Sequence, residues 1–363
     1  MSDNHAKIYD LSTIDRSILS NKTIAVIGYG NQGRAQAMNL RENQFHVLIG
    51  NQGDIYRQLA ISDGFETHDI PSAVTQADVV MLLIPDEIMP SVFQEQVKPY
   101  LKKNSTLVFA SGYNVAFNQI DLPDNIDILL LAPRMIGVGV RERFLSNEGF
   151  YCFVDVYQDV SGKALKILLA LARGIAGISK PAIEVTFKQE AVLDLFNEQA
   201  FGPAFGRVLL DSINVLLDHG LPPEAVLVEM YMSEEMSYTY KKMATTGLVK
   251  QTLFHSQTSQ YGAMSRGMRF LNLGLRKRME NIYQDIDSGS FAREWSKPAT
   301  RVKFRAIKFF AMRQRINRVE SAVRKALGMK VEDIYKEPSD INEVLNNPAI
   351  KAELESFKDG FEY

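Results

Sequence analysis

Residues 23–49 read TIAVIGYGNQGRAQAMNLRENQFHVLI, and this stretch decides the fold. It opens with a short, continuous apolar run rich in β-branched residues, Thr23–Tyr29, the pattern of a strand buried on both faces. Gly28-Tyr29-Gly30-Asn31-Gln32-Gly33 follows the spacing G-x-G-x-x-G and leads into a helical stretch, GRAQAMNLREN. A second apolar run, Phe45–Ile49, comes next. Glycine spacing alone says little; strand, glycine turn, helix and strand within about thirty residues give it a mechanism. Gly28 permits the tight turn, Gly30 lets a pyrophosphate approach the backbone, and Gly33 lets helix and strand pack closely. The free N–H groups and positive dipole end of the helix then face the phosphates.

Further apolar runs at Val79–Ile84, Thr106–Ala110 and Ile126–Leu131, each preceded by polar or helical sequence, extend the alternation. The expected architecture is therefore a doubly wound, Rossmann-like α/β domain over residues 1–183. From residue 184 to 330 helical periodicity dominates and convincing strands are missing, so an all-α domain is expected there. The 363 residues carry 41 Lys and Arg against 43 Asp and Glu, a net charge of −2, which excludes a globally basic nucleic-acid binder. A single cysteine, Cys152, excludes an intrachain disulfide and paired-cysteine zinc sites. The N-terminal segment lacks an apolar signal core, and runs such as Val79–Pro85 are too short to span a bilayer. A cytoplasmic protein with no membrane and no nucleic-acid partner is expected. Residues 301–330 hold ten basic residues and one acidic residue, Glu320. This basic block reads either as a charged binding face or as a solvated or subunit-facing helix, neutralised by the acidic tail at 331–363.

Two places carry chemistry beyond the glycines. After the second strand the chain reads Gly50-Asn51-Gln52-Gly53-Asp54, with no cation before Arg57. Asp54 would repel a 2′-phosphate and accept hydrogen bonds from a free ribose hydroxyl, which points to NADH over NADPH. The alternative is that Asp54 faces water and Arg57 folds back onto a phosphate. Farther on, EVTFKQEAVLDLFNEQA (184–200) places Glu190, Asp194 and Glu198 four residues apart, on one face of a helix. Such a face is either a solvated acidic surface or a site for a hard cation such as Mg²⁺.

Together these segments resemble the ketol-acid reductoisomerase (acetohydroxyacid isomeroreductase) family in its short form, with one helical domain. The resemblance runs from about residue 20 to about 328, through KTIAVIGYGNQGRAQAMNL, ADVVMLLIPDE, LVFASGYN, LLLAPRMIG, VYQDVSG, LDLFNEQ and SQYG. It implies NAD(P)H and Mg²⁺, an alkyl shift in a 2-acetolactate-type substrate, and reduction of the resulting 2-oxo group in branched-chain amino-acid synthesis. It also implies an intertwined helical domain like that of 6-phosphogluconate dehydrogenase, in a homodimer or larger homo-oligomer with shared active sites. By resemblance, Asp194 and Glu198 match metal carboxylates, Glu229 matches a carboxylate contributed by the partner subunit, and Ser256 matches a substrate-binding serine. Tyr29, Asn31 and Gln32 in the glycine loop, Asp86, Glu87, Ile88 and Met89, and Gly137 match cofactor contacts, and Gln52 falls on a cofactor-loop arginine.

The departures from the family pattern are chemical. The histidine of the FAHGFN motif is Ser111 here, the lysine of APKGPG is Arg134, and the second partner-subunit carboxylate falls on Ser233 or, with a one-residue shift, on Glu234. A serine hydroxyl exchanges no proton near pH 7 without a base, and a guanidinium stays charged where a lysine could lend and regain a proton. Arg134 is instead expected to anchor a substrate carboxylate, with Ser111 near the nicotinamide and Ser256 orienting a polar group. The expected function is NADH-dependent, Mg²⁺-assisted reduction of a small 2-oxo acid or related carbonyl or imino acid, with the isomerase step weakened or lost. The alternatives are a true reductoisomerase and a nucleotide-binding scaffold without turnover.

Overall fold

A computed structural model describes residues 5–330, so the acidic tail lies outside the described residues. Among the described residues nine strands form one sheet: β1 (Ile8–Tyr9), β2 (Thr23–Ile27), β3 (His46–Gly50), β4 (Glu66–His68), β5 (Val79–Leu82), β6 (Thr106–Phe109), β7 (Asp127–Pro133), β8 (Cys152–Gln158) and β9 (Ala182–Glu184). Their order is β1-β9-β8-β7-β6-β5-β2-β3-β4. The block from β4 to β7 is parallel, β8 runs antiparallel to β7, and β1 runs antiparallel to β9.

The continuous apolar runs are explained by two cores, one on each face of the sheet. In β2, Ile24 and Val26 point into one core while Ala25 and Ile27 point into the other. In β7, Leu129 and Leu131 split in the same way from Ile128, Leu130 and Ala132. A strand covered on both sides needs no polar alternation. The Ala164–Ala176 helix closes one face with ten buried residues.

The chain leaves β2 for β3 on one side and later returns to β5 on the other side of β2. Dinucleotides bind at the crevice that such a reversal opens beyond the carboxyl ends of the strands. The loops after β2, β5, β6 and β7 all emerge at that end.

The chain divides at Asp194/Leu195 into two units, rather than at 183/184. The boundary falls inside the Phe187–Phe196 helix, whose start is capped reciprocally by Thr186 and Gln189: Gln189 N–H donates to Thr186 Oγ1 (3.2 Å) and Thr186 N–H donates to Gln189 Oε1 (2.9 Å). Asp155 of β8 accepts the Phe187 N–H at 2.9 Å and pins the same turn.

The second unit is helical among the described residues, as its sequence predicts. Its own buried cluster is small: Ile213, Val226, Leu227 and Val323. Helical residues 187–218 form a stretch long and apolar enough, by length and composition, to cross a membrane. Reading only unbroken apolar runs misses it, because Arg207 and Asp211 interrupt the apolar sequence and pair with each other at 2.9 Å.

Candidate functional site

The glycines do three different jobs. Gly28 has φ +93°, and a Cβ there would lie 2.6 Å from the Leu83 carbonyl oxygen. A Cβ on Gly33 would lie 2.0 Å from the Gly28 carbonyl oxygen, so helix and turn touch through hydrogen alone. A Cβ on Gly30 would meet nothing within 4 Å. That open space stands at the N-cap of the Asn31–Glu42 helix, where a phosphate would approach. Gln32 donates to the Met135 carbonyl at 2.9 Å, and a Cβ on Gly137 would lie 2.4 Å from the Asn31 carbonyl. The structure therefore brings Asn31, Gln32 and Gly137 together at one end of the sheet.

Tyr29 turns its side chain away from the glycine turn. Its ring is buried against Phe65 and its hydroxyl donates to Asp63 at 2.9 Å, so only its backbone faces the turn. Burial and the Asp63 carboxylate both hold the phenol well above its usual range. Asp63 also takes a two-point contact from Arg34, at 2.7 and 3.0 Å.

At the far end of the crevice Asp54 caps the Ile55–Ser62 helix. Its Oδ1 accepts the N–H groups of Tyr56 (2.9 Å) and Arg57 (3.1 Å) and the Asn51 amide (2.7 Å). Gln52 donates to the other oxygen at 3.2 Å. The helix N-terminus that could have received a 2′-phosphate already holds a carboxylate of this chain.

The loop after β5 is tied to the loop after β6. Asn114 donates to Asp86 Oδ1 at 2.8 Å and to the Met89 sulfur at 3.4 Å, while its own Oδ1 is buried without a hydrogen-bond partner. Met89 is buried, whereas Glu87 and Ile88 face solvent. Sequence reasoning quoted Asn114 within FASGYN and gave it no role.

Beyond these loops lies a charged cluster. Arg134, just past β7, donates through one guanidinium nitrogen to Glu190 Oε1 at 2.8 Å and through another to Asp194 Oδ1. Its plane lies over the Phe153 ring, 4.9 Å from the centroid. The second Glu190 oxygen accepts the Gly112 N–H at 2.6 Å. A Cβ on Gly112 would come within 2.2 Å of the Phe187 carbonyl, so this approach requires glycine. Glu190 is 1% exposed. Burial, reinforced by Asp194, pushes its carboxyl up to about 7 against the opposing pull of Gly112 and Arg134. Arg134 is thus a bridge between two carboxylates of the chain, not the open anchor for a substrate carboxylate that the sequence suggests. Ser111, in the lost histidine's position, accepts the Tyr113 N–H at 3.2 Å, which leaves its hydroxyl proton available.

In the helical unit, Glu198 lies in a π-helical turn (Asn197–Phe201) and Glu229 in another (Val228–Met232). Such turns recur at functional sites. Ser233 closes the second turn, and Glu234 adopts left-handed backbone, φ 61°. Ser256 caps the Gln257–Gly267 helix, accepting the Ser259 N–H at 3.3 Å.

Residues 18–180 match the family profile described as the acetohydroxy acid isomeroreductase NADPH-binding domain, and residues 187–329 match the ketol-acid reductoisomerase C-terminal domain. A protein of Pyrobaculum aerophilum named ketol-acid reductoisomerase (NADP(+)) is 40% identical over 301 residues, covering 80% of this chain and 88% of that protein. Its namesake from Pyrobaculum islandicum is 38% identical over the same length and shares. Among solved structures, that of an NADH-preferring ketol-acid reductoisomerase from an uncultured archaeon superposes with a TM-score of 0.82 at 30% identity, covering 88% of this chain and 98% of that one.

Proposed function

The chain belongs to the ketol-acid reductoisomerase family, and from that premise we propose that it reduces a small 2-oxo acid, or a related carbonyl or imino acid, with NADH, the alkyl-shift half of the family reaction being weakened or lost. One observation carries this reading: the guanidinium of Arg134 is committed to Glu190 and Asp194. A fixed cation stands where a proton-exchanging lysine is the family pattern, and Ser111 stands where a histidine would be. An alkyl shift needs metal polarisation together with proton transfer. Hydride transfer needs a bound nicotinamide, a polarised acceptor and correct geometry.

The cofactor preference rests on Asp54. A carboxylate already seated at the Ile55–Ser62 helix N-terminus repels a 2′-phosphate and leaves acceptor capacity for a ribose hydroxyl. The Gly28–Gly33 turn and the Asn31–Glu42 helix N-terminus would hold the pyrophosphate. Asn114 and Asp86 fix the two loops on which the nicotinamide end would rest.

Asp194 and Glu198, with Glu229 from a second copy of the chain as in the family pattern, would offer the hard carboxylate oxygens that Mg²⁺ takes, although the described residues of the single chain hold no cluster of three such ligands. Bound there, Mg²⁺ would polarise the reacting oxygen. Arg134 itself keeps a positive charge beside that position, where negative charge develops as hydride reaches the carbonyl carbon. Ser111 and Ser256 supply hydroxyl donors for orientation.

The helical unit exposes Leu248, Val249, Leu253, Phe254, Met268, Phe270 and Leu271, each more than three-fifths accessible. So much exposed apolar surface fits a homodimer in which a second copy covers it.

A true reductoisomerase is the second function, favoured by relatives that carry the full name over most of their length. One experiment separates them: oxidation of NADH and NADPH with 2-acetolactate, and with the rearranged 3-hydroxy-2-oxo acid, each with and without Mg²⁺. Turnover of the rearranged acid alone supports the reductase. Turnover of acetolactate establishes the reductoisomerase, and silence on both substrates moves the search to other carbonyls and imines.

A further inference from the structure

Three arginines meet in a cleft of the first domain. The cleft has a volume of about 460 Å³, and Arg16, Arg143 and Arg173 line it with no Asp or Glu in its wall. Three helices, Asn31–Glu42, Gly137–Leu145 and Ala164–Ala176, bring their carboxyl ends to it through Asn43, Phe144 and Gly177. A cation near a helix carboxyl end is stabilising, which accounts for Arg143 and Arg173 in the last turns of their helices. It does not account for Arg16, which enters from the separate segment before β2, nor for the open volume.

The walls of the cleft are fixed by the protein itself. Asn43 accepts a hydrogen bond from Arg16 and donates to the Asn39 and Gly174 carbonyls at 3.1 and 2.9 Å. Arg173 donates to the Ser12 and Ile14 carbonyls at 3.1 and 2.5 Å, and Ser179 Oγ donates to the Asn147 carbonyl at 2.6 Å. Gly149 has φ +62°, and a Cβ there would lie 2.9 Å from the Ala176 carbonyl oxygen. Among the described residues each of the three guanidinium groups bonds the protein through a single nitrogen, which leaves most of its N–H donors for a ligand. Only Arg143 meets a carboxylate, Glu148 at 3.2 Å, whose side chain is 56% exposed.

We propose that this cleft is a second ligand site, for a small organic oxyanion. Its phosphate or carboxylate would be held by the guanidinium forks, whose geometry matches either group. Its apolar body would rest on Phe144 and Ile178. The volume lies within the range of small-molecule sites. The site is distinct from the dinucleotide crevice: the Asn31–Glu42 helix begins at the glycine turn and ends at the cleft, twelve residues on, which separates the two by about 18 Å. The inference is independent of the reaction that the chain catalyses.

The test is isothermal titration calorimetry on the full-length protein saturated with NADH, in about 0.15 M chloride so that screening stays constant. The titrants are phenyl phosphate, phenylacetate and inorganic phosphate. Arg16→Gln combined with Arg143→Gln removes two guanidinium groups at partly exposed positions. Ser179→Glu keeps all three arginines and adds a carboxylate to the wall at an exposed position. Arg173 is left intact because it holds Ser12 and Ile14. Melting temperatures confirm that each variant is folded. The expected result in the wild type is one equivalent of phenyl phosphate or phenylacetate per subunit, with a dissociation constant of roughly 1 mM or tighter. Both variants should weaken that binding roughly tenfold or more and leave NADH affinity unchanged. The tighter of the two aromatic titrants identifies the ligand as a phosphate ester or a carboxylate. No saturable heat with either in the wild type, equal affinity in a folded variant, or displacement of the titrant by NADH overturns the proposal. Inorganic phosphate binding as tightly as phenyl phosphate overturns the apolar body.

Discussion

Gly33 sits so close to Gly28 that a Cβ on the former would be 2.0 Å from the latter's carbonyl oxygen. The helix that follows is held against the strand by the absence of a side chain. Gly33→Ala is therefore expected to lower stability by roughly 1–3 kcal/mol, as overpacking does, and to abolish NADH binding. Gly30→Ala meets nothing within 4 Å and should fold as the wild type does. Its loss of NADH affinity, read by quenching of intrinsic fluorescence, should still reach roughly tenfold because the methyl takes the space of the pyrophosphate. If Gly30→Ala binds NADH normally, the phosphates do not lie over this turn.

Asp54→Ser separates charge from capping. Serine caps a helix nearly as well as aspartate, so the melting temperature should change little, by less than about 1 kcal/mol in stability. Removing the carboxylate from the Ile55–Ser62 N-terminus should raise the ratio of kcat/KM for NADPH to that for NADH by roughly tenfold. An unchanged ratio would show that cofactor choice lies elsewhere.

Glu190 makes stability depend on pH. Its folded carboxyl is pushed up to about 7 from an ordinary 4.5, mainly by burial. A raised acid contributes stability that is fully present below pH 4.5 and is lost as the pH climbs through about 7. The change is of the order of 3 kcal/mol. In metal-free protein the wild-type melting temperature should thus fall between pH 5 and 8 by more than that of Glu190→Gln. Parallel curves for the two proteins would remove Glu190 as the source.

Leu248 and Val249 are 72% and 69% exposed in the single chain. Leu248→Asp together with Val249→Asp should convert a dimer to monomers in size-exclusion chromatography with light scattering, and activity should fall with it. A wild type that is monomeric at micromolar concentration would refute the shared-site arrangement.

The parallel core was legible because its strands carry unbroken β-branched and apolar runs. The structure places β2, β3, β5, β6 and β7 within a residue or two of those runs. The short strands were not legible. β1 has two residues and β4 reads Glu66-Thr67-His68, with no apolar run to mark it. β8 mixes Asp155 into its sequence because that carboxylate caps a helix rather than joining the core. At the site, the glycines and the Glu190, Asp194 and Glu198 spacing could be read directly. The destination of Arg134 could not, since its partners lie 56 and 60 residues away. Tyr29 shows the same limit: a motif locates a backbone, and only packing tells where the side chain goes.

Strand β1 pairs Ile8 with Ile183, so the margin of the sheet is sealed by two pieces of chain from opposite ends of the first domain. Tyr9 reinforces the seam through a hydrogen bond to Glu184. During synthesis Ile8 and Tyr9 leave the ribosome long before Ala182 and Ile183 and must wait for almost the whole domain before finding their partners. The nucleotide-binding half can therefore finish folding only once the segment leading to the helical half has been made. Removing residues 1–10 should leave β9 as an open edge, prone to pairing with other chains while the helices are still being synthesised.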